Sequence, residues 1–195
     1  MYFCTSLILV FATAALINQR QTPQPSINEE QRNEILHQEQ IFMEWYENYQ
    51  KDIDQLDRNW QLYHNTLANF KMNNIDAEEF YERMKRLEET TRVEQVNIHK
   101  LQPPEEIGME CKQILNQVIK KTQIYVDAQT QTISLTKDAA APENLHTENH
   151  DEQVRLFQEI MIRESPAGLF TSSEISTILD YFYFPPESDG RLTAE

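Results

Sequence analysis

Glycine is rare in this chain, with three residues of 195, at positions 108, 168 and 190. Tight hairpin turns and strand bulges depend on glycine, because it adopts positive φ angles without steric cost. The shortage therefore disfavours an all-β architecture and excludes the glycine-rich loops that cradle phosphate groups. The composition predicts helices, and 39% of the residues are hydrophobic, which is enough to build a core.

Basic side chains are also few: 17 Lys and Arg residues stand against 32 Asp and Glu residues, so the formal net charge is -15. Nucleic-acid binding depends on Lys and Arg displacing counterions from phosphates, and this balance argues against it. Acidic helix faces keep a folded protein soluble. We therefore expect no nucleic-acid partner, and no dense acidic block singles out a cationic one.

Cysteine is almost missing, since the chain contains Cys4 and Cys111 alone. If the N-terminal segment that holds Cys4 is removed, no intramolecular disulfide can form. Cys111 lies on an apolar stripe without an evident His partner, which favours a small core residue over a reactive site. The chain also lacks the G-x-S-x-G elbow of serine hydrolases. The sequence thus predicts a non-enzymatic protein without a cofactor.

Residues 1–17 are largely apolar, and no charged side chain precedes Arg20. The run is short for a membrane-spanning helix, and Ala12 and Ala14 supply the small residues that signal peptidase prefers. We predict a signal peptide or an uncleaved N-terminal anchor, which would be the one membrane contact. Lipidation requires a cysteine just after the apolar run, and Cys4 lies at its front instead, which disfavours lipidation. The predicted location is extracytoplasmic: secreted, periplasmic or anchored by the N-terminus.

A polar spacer is predicted over 18–33, and a regular apolar pattern follows it. Large apolar or aromatic residues recur in steps of four and three, which predicts one helix from about Asn33 to Lys71 with coiled-coil-like spacing. From Phe42 to Phe70 this helix would be roughly 43 Å long at about 1.5 Å per residue, and it implies an elongated bundle. The pattern comprises positions 42, 46, 49, 53, 56, 60, 63, 67 and 70.

Capping residues and prolines mark the next two helices. An Asp76–Glu79 capping pair predicts that the second helix begins at about Ala77. Pro103 and Pro104 end it, and Pro104 suits the first turn of a third helix. A short connection between two such helices makes them antiparallel neighbours.

The apolar stripes of these two helices are less regular than that of the first. Thr91 and Glu94 interrupt the spacing on the second helix. The third helix is predicted to about Ala128 only, because its last turns are rich in β-branched residues. Its predicted stripe comprises Ile107, Cys111, Ile114, Val118, Tyr125 and Leu135.

The predicted fold is all-α: an elongated antiparallel three-helix bundle with a short C-terminal helical pair. Asn149 is expected to cap the first short helix, and Thr171 with Glu174 the second, stapled by Phe170 and Ile175. Both helices are too short to be stable alone and should dock on the bundle. The predicted boundaries are 34–138 for the bundle, 139–148 for a linker, 149–184 for the helical pair and 185–195 for a disordered tail.

The aromatic stripe of the first helix is interpreted as the inside of this bundle, with Trp60 in the core. Large residues there can face small ones, such as Cys111 and Thr122, on the third helix. A parallel homodimer seam is the alternative, although such seams more often present Ile, Val and Leu. A box of aromatic residues for stacking a cofactor is disfavoured.

Trp45 is the one large aromatic residue of the first helix that lies off this stripe, and Ile41 precedes it by one turn. Two explanations are open. The C-terminal helices can dock there through Phe157 or Phe182, which would widen the core. Alternatively, Ile41 and Trp45 are the exposed anchor of a site for a protein partner, because Trp is enriched among binding hot spots.

One metal-binding pattern occurs twice: Glu34 with His37, and Glu143 with His146, each an E-x-x-H like those of ferritin-like bundles. The second copy falls in the predicted linker. His146 is also four residues from His150, the spacing of a metal pair on one helix face, but both lie at or before a helix start. We expect solvated loops without a metal, and a ferritin-like metal site is a minor alternative.

The segment LQPPEEIGMECKQIL, residues 101–115, resembles the helix junction of a loose group of bacterial secreted proteins and lipoproteins of unknown function. In that group, a hydrophobic residue, a proline break and an acidic helix start connect the second and third helices of an extracytoplasmic bundle. The likeness spans 42–137. It implies a bacterial envelope protein and no particular activity.

The leading hypothesis is a non-enzymatic extracytoplasmic protein that acts as a scaffold, adaptor or binding module for an unidentified protein partner. The alternative is a periplasmic chaperone or stress-sensing bundle that binds unfolded clients on an apolar surface. The first should recover one defined protein, whereas the second should suppress the aggregation of unrelated ones.

Overall fold

A computed structural model of the chain describes residues 28–183. Within that range every regular element is a helix, which confirms the all-α prediction. The predicted signal peptide, the predicted tail and most of the predicted spacer lie outside the described residues. The helices are α1 (Glu29–Lys71), α2 (Ala77–Lys100), α3 (Met109–Ala140), α4 (His150–Glu164) and α5 (Ser172–Tyr183).

Helix α1 begins at Glu29, whereas the sequence predicts a start near Asn33. The cause is a capping box that the periodicity does not reveal. The Asn28 side chain accepts a hydrogen bond from the backbone N–H of Gln31 at 2.7 Å, and the Gln31 side chain accepts one from the backbone of Asn28 at 3.3 Å. Glu29 and Glu30 then face the positive end of the helix dipole. The segment after Asn28 is therefore helix and not spacer.

The stripe on α1 is buried unevenly. Every seventh residue is at most 1% exposed, and of the residues between them Leu67 is also buried, whereas Tyr46, Ile53 and Trp60 are half-buried. Trp60 lies at the edge of the core. Asn59 and Thr66, on the other flank, are buried. The buried face of α1 therefore includes polar residues on one flank that the apolar pattern does not predict. The fully buried series is Phe42, Tyr49, Leu56, Tyr63 and Phe70.

On α2 the buried residues follow the same spacing without a gap. Thr91 and Glu94, which interrupt the apolar pattern, occupy buried positions of the stripe. The Thr91 hydroxyl donates to the Leu87 carbonyl at 2.8 Å, so its burial leaves no unpaired group. The buried stripe of α2 is therefore continuous, and only the polar character of these two residues interrupts the apolar pattern.

Helix α3 begins at Met109, after Gly108 as N-cap, so Pro104 lies in the connection and not in the first turn. It also continues to Ala140, beyond the predicted end at Ala128. Its threonines are tolerated because they are buried and their hydroxyls bond to carbonyls one turn back. Thr136, for example, donates to the Thr132 carbonyl at 2.8 Å.

The predicted stripe of α3 is displaced from the observed one. Ile114, Tyr125 and Leu135 are half-buried at its edges. Polar residues carry much of the buried face, so a pattern that counts apolar residues alone misplaces its centre. The residues at that centre are Leu115, Val118, Thr122, Val126, Gln129, Ile133 and Thr136.

Polar contacts at steps of seven residues place α1 and α3 parallel to each other. The Tyr49 and Thr122 hydroxyls are 3.0 Å apart, and the Tyr63 and Thr136 hydroxyls are also 3.0 Å apart. Between these pairs, the Gln129 side chain donates to the Leu56 carbonyl at 2.9 Å. Helix α2 runs the other way, since Phe80 near its start packs against Phe70 near the end of α1, with ring centroids 4.7 Å apart.

The two short helices contact different ends of α1. Phe157 of α4 packs against Phe70 and Phe80, with ring centroids 5.5 and 4.7 Å apart. Phe182 of α5 packs against Phe42 at 5.7 Å. Within residues 28–183 no helix combines the length and apolarity that a bilayer crossing requires.

The predicted caps of the short helices are partly correct. The Asn149 side chain accepts from the backbone N–H groups of Asp151 and Glu152 at 3.0 and 3.3 Å, as a helix cap does. The predicted staple between Phe170 and Ile175 is wrong, because Ile175 is buried but Phe170 is 74% exposed.

Candidate functional site

Ile41 and Trp45, the predicted partner site, are both half-buried on α1. The indole N–H of Trp45 donates to the backbone carbonyl of Gln102 at 3.0 Å. Its ring stacks on Tyr49, with centroids 5.1 Å apart and planes 9° from parallel. Trp45 therefore hydrogen-bonds to the connection between α2 and α3.

Gln38 fixes the same connection one turn before Ile41. Its side-chain N–H donates to the Glu106 carbonyl at 2.9 Å, and its carbonyl accepts from the Gly108 backbone N–H at 2.6 Å. Gln38 and Trp45 thus hold the α2–α3 connection on one face of α1, which Ile41 shares. The role of Gln38 cannot be predicted from the sequence pattern, because its partners are backbone groups that periodicity cannot locate.

Of the two docking residues expected at Trp45, Phe182 belongs to the apolar cluster that Trp45 packs against, whereas Phe157 does not. Phe157 belongs to the cluster around Phe70 and Phe80, far along α1, so its predicted contact with Trp45 is wrong. Phe182 does dock near this end of α1, and its ring partner is Phe42. The role of Ile41 and Trp45 toward a partner stays a prediction.

A cavity of about 270 Å³ opens between α3 and α5. Cys111 lies in its wall and is 2% exposed, and burial, followed by the charge of Glu110, raises the pKa of its thiol. A thiol with a raised pKa is a poor nucleophile. This geometry supports a packing role for Cys111. The lining residues are Glu110, Cys111, Ile114, Thr177, Asp180 and Tyr181.

His37, from the first E-x-x-H pattern, and His150, from the predicted pair of histidines, lie near opposite ends of α1. His37 is near Glu106, with 4.0 Å between nitrogen and oxygen, whereas His150 packs its ring on Phe70 at a centroid distance of 4.7 Å. Roughly 50 Å of helix separates His37 from Phe70 at about 1.5 Å per residue. His146 is exposed in the α3–α4 connection. In the described part of the chain, no three His, Cys, Asp or Glu side chains converge on a metal position.

The aromatic stripe of α1 is buried inside the chain, and two of its tyrosines bond to α3. Burial raises the pKa values of the Tyr49 and Tyr63 phenols, against the opposing effect of their hydrogen bonds to threonine. Neutral phenols paired with Thr122 and Thr136 are the expected state at neutral pH. These hydroxyls therefore serve as interior hydrogen-bonding groups.

A half-buried ionic network joins α2 to α3. Burial raises the pKa of Glu88, but hydrogen bonds from Ser134, Lys137 and Arg92 and the charge of Lys137 outweigh it, so the pKa falls to about 2. The Glu88 carboxylate lies 2.7 Å from Arg92 and 3.0 Å from Lys137. The observed partners explain the burial of an acidic residue on the α2 stripe.

Phe170 is an exposed aromatic residue whose position is fixed by the chain around it. The Lys121 ammonium bonds to the Phe170 carbonyl at 2.9 Å and to Glu174 at 2.5 Å. The phenyl ring lies over Gly168, where an added Cβ would be 2.8 Å from the ring. Ile124, one turn from Lys121 on α3, is 62% exposed. Phe170 is thus part of an exposed surface and not of the helix staple that the sequence predicts.

The comparisons with known proteins add no relative. No protein-family model matches this chain, and neither a curated protein nor a solved structure matches it.

Proposed function

We propose that this protein is a non-enzymatic extracytoplasmic helical-bundle protein that acts as a scaffold, adaptor or binding module for one protein partner. We propose for it an elongated antiparallel three-helix bundle, with coiled-coil-like spacing and a docked C-terminal helical pair. The aromatic contacts of Phe157 and Phe182 with α1 support the docked pair.

The observation that carries the binding role is Phe170. Burying an exposed aromatic ring is a strong source of binding energy, and a ring already held in place loses little entropy on binding. The Lys121 ammonium donates to the Phe170 carbonyl, and the Phe170 ring lies over Gly168. The Cys111 thiol, the Tyr49 phenol and the Tyr63 phenol, by contrast, are engaged in interior contacts. This arrangement favours a binding surface over a catalytic one.

The extracytoplasmic location is supported by the apolar segment at residues 1–17 and by the resemblance of residues 101–115 to bacterial envelope bundles. Expression of the full chain followed by cell fractionation and mass spectrometry of the N-terminus tests it. Recovery outside the cytoplasm, with or without cleavage after the apolar run, is expected. A chain that stays in the cytosol with residues 1–17 intact would refute the location.

The binding role is tested by affinity purification of the full chain, followed by titration of the purified partner. Phe170→Ala should weaken the affinity roughly tenfold or more, as for a hot-spot aromatic. Gly168→Ala should weaken it as well, because the new Cβ displaces the ring. Val93→Ala is the matched control, since Val93 is also well exposed but lies on α2 away from this turn.

Three outcomes separate the alternatives. Recovery of one defined protein, with binding lost in Phe170→Ala, supports the proposal. Unchanged binding in Phe170→Ala moves the site elsewhere, and Ile41 with Trp45 is then tested in the same way. Recovery of no defined partner, together with suppressed aggregation of unrelated unfolded proteins, would replace the proposal with the chaperone alternative.

A further inference from the structure

Three side chains in the middle of the structure each leave one buried polar atom without a hydrogen-bond partner. They are Asn59 on α1, Glu94 on α2 and Gln129 on α3. Asn59 and Gln129 are 0% exposed, and Glu94 is 8% exposed. A buried polar group without a partner is costly, and native proteins nearly always satisfy it. The three atoms therefore require a common explanation.

The three side chains occupy one level of the structure. A small apolar cluster takes one residue from each long helix: Leu56, Ile98 and Val126. From this cluster, Asn59 and Gln129 lie one turn forward along the parallel helices α1 and α3. Glu94 lies one turn back along α2, which runs in the opposite direction. All three are thus displaced from the cluster toward the same end.

Other contacts support this placement. The Gln129 side chain donates to the Leu56 carbonyl at 2.9 Å, one turn from Asn59. On α2, Gln95, the neighbour of Glu94, donates to Asp127 of α3 at 2.7 Å, and Asp127 is two residues before Gln129. The burial of all three side chains at this level places them in the interior of the structure.

The free atoms have complementary chemistry. The Asn59 amide oxygen accepts from the Gln55 side chain at 2.9 Å, so its free atom is the Nδ2 donor. The Gln129 amide nitrogen donates to the Leu56 carbonyl, so its free atom is the Oε1 acceptor. Glu94 adds a second acceptor, its carboxylate Oε1. The level thus offers one donor and two acceptors.

We propose that Asn59, Glu94 and Gln129 form an internal site for one water molecule that bridges α1, α2 and α3. A water accepts one hydrogen bond from Asn59 and donates one each to Glu94 and Gln129, which is the usual number of bonds for a buried water. A metal cation would face the Asn59 N–H groups, and an anion would face the Glu94 carboxylate. The donor set therefore fits water better than an ion.

The site has a consequence for the alignment of the helices. Sliding α1 by one heptad would preserve the apolar contacts but move Asn59 roughly 10 Å, away from the other two groups. Buried polar residues fix helix register in this way because a shifted alignment leaves them unpaired. The water site thus selects the observed register of α1 against α2 and α3.

The direct test is a water–protein NOE experiment on the isotopically labelled full chain. The Asn59 side-chain amide should show a cross-peak to a water with a long residence time, and the signal is assigned by its loss in Asn59→Leu. An Asn59 amide without such a cross-peak would overturn the proposal. This measurement uses the native protein and does not depend on the folding of any variant.

A double-mutant cycle of Asn59→Leu and Gln129→Leu provides the second test. Because the two side chains share one bridging water, their effects on the unfolding equilibrium constant should differ from independence by roughly fivefold or more. Thr91→Val is the control, since its hydroxyl bonds only within α2, and it should combine with Asn59→Leu independently. Independent effects of Asn59 and Gln129 would contradict the site. Coupling without the water cross-peak would mean a direct bond between the amides and would also overturn it.

Discussion

Glu88 on α2 and Lys137 on α3 form an ion pair at 3.0 Å across the interface of the two helices, and Arg92 bonds the same carboxylate at 2.7 Å. The Glu88 carboxylate is largely buried, so both partners are needed to offset its desolvation. The consequence is a carboxyl group whose pKa falls to about 2 from its ordinary value of 4.5.

This ion pair predicts a component of acid sensitivity. The unfolded chain binds a proton at Glu88 near pH 4.5, whereas the folded chain resists it until about pH 2. The stabilisation, about 2–3 kcal/mol, is therefore fully present above pH 4.5 and is lost as the pH falls toward 2. Thermal melting of Glu88→Gln should be less pH-dependent in this window than that of wild type. Glu89→Gln, an exposed neighbour on α2, should behave like wild type, and an unchanged profile in Glu88→Gln would contradict the pairing.

The half-buried position of Trp60 predicts a moderate loss of stability on truncation. Trp60→Ala should cost about 2–3 kcal/mol, because part of its ring faces solvent although it stacks on Tyr63 at 5.0 Å. Phe70→Ala, at a fully buried position of the same stripe, should cost about 3–5 kcal/mol. Denaturant unfolding gives both values. The reverse order would show that Trp60 is more deeply buried than its neighbours indicate.

Replacing Trp45 tests whether its main role is intramolecular. Trp45→Ala should lower the free energy of unfolding by about 2–3 kcal/mol, because it loses the stack on Tyr49 and the bond to the Gln102 carbonyl. Trp45→Phe keeps an aromatic ring that can stack on Tyr49 but loses the indole N–H, and should cost about 1 kcal/mol. Stability that does not change in Trp45→Ala, combined with lost recovery of a partner, would instead support the partner site.

Burial of Cys111 predicts slow reaction with thiol reagents. Its raised pKa and its position in the wall between α3 and α5 should slow modification by an aromatic disulfide reagent about a hundredfold relative to the unfolded chain. The experiment uses a Cys4→Ser variant so that Cys111 is the one thiol whose reaction is measured. Rapid reaction of the folded protein would show that the cavity beside Cys111 admits reagents freely.

Local chemistry made parts of this fold predictable. The start of α2 follows from Asp76, whose side chain accepts from the Glu79 backbone at 2.8 Å, and that bond depends on neighbouring residues alone. The aromatic stripe of α1 was predictable for the same reason, since one helical face is a local property. Asn149 at the start of α4 is a third case.

The other features of the fold depend on long-range contacts, which the pattern of apolar residues along the sequence does not show. Asn59 and Glu94 are polar, so an apolar pattern passes over them, although the other helices bury both. The end of α3 was misplaced because burial and back-bonding of its threonines outweigh their weak helix propensity. Trp45 was left with two explanations, and its observed partner, the Gln102 carbonyl, is 57 positions away along the chain.

The central claim is that the aromatic stripe of α1 is buried inside the chain and that α3 runs parallel to α1 and in register with it. Spin labels at two pairs of exposed positions, 47 with 120 and 58 with 131, test it by pulsed dipolar spectroscopy in a Cys4→Ser, Cys111→Ala background. Each pair repeats the spacing of the Tyr49–Thr122 contact, and both lie on the same faces of the two helices. We predict similar distances for the two pairs, which do not change on dilution with unlabelled protein. An antiparallel α3 would give distances that differ by roughly 30 Å between the two pairs, and that result would contradict the account. A dipolar signal that vanishes on dilution, as in a homodimer seam, would also contradict it.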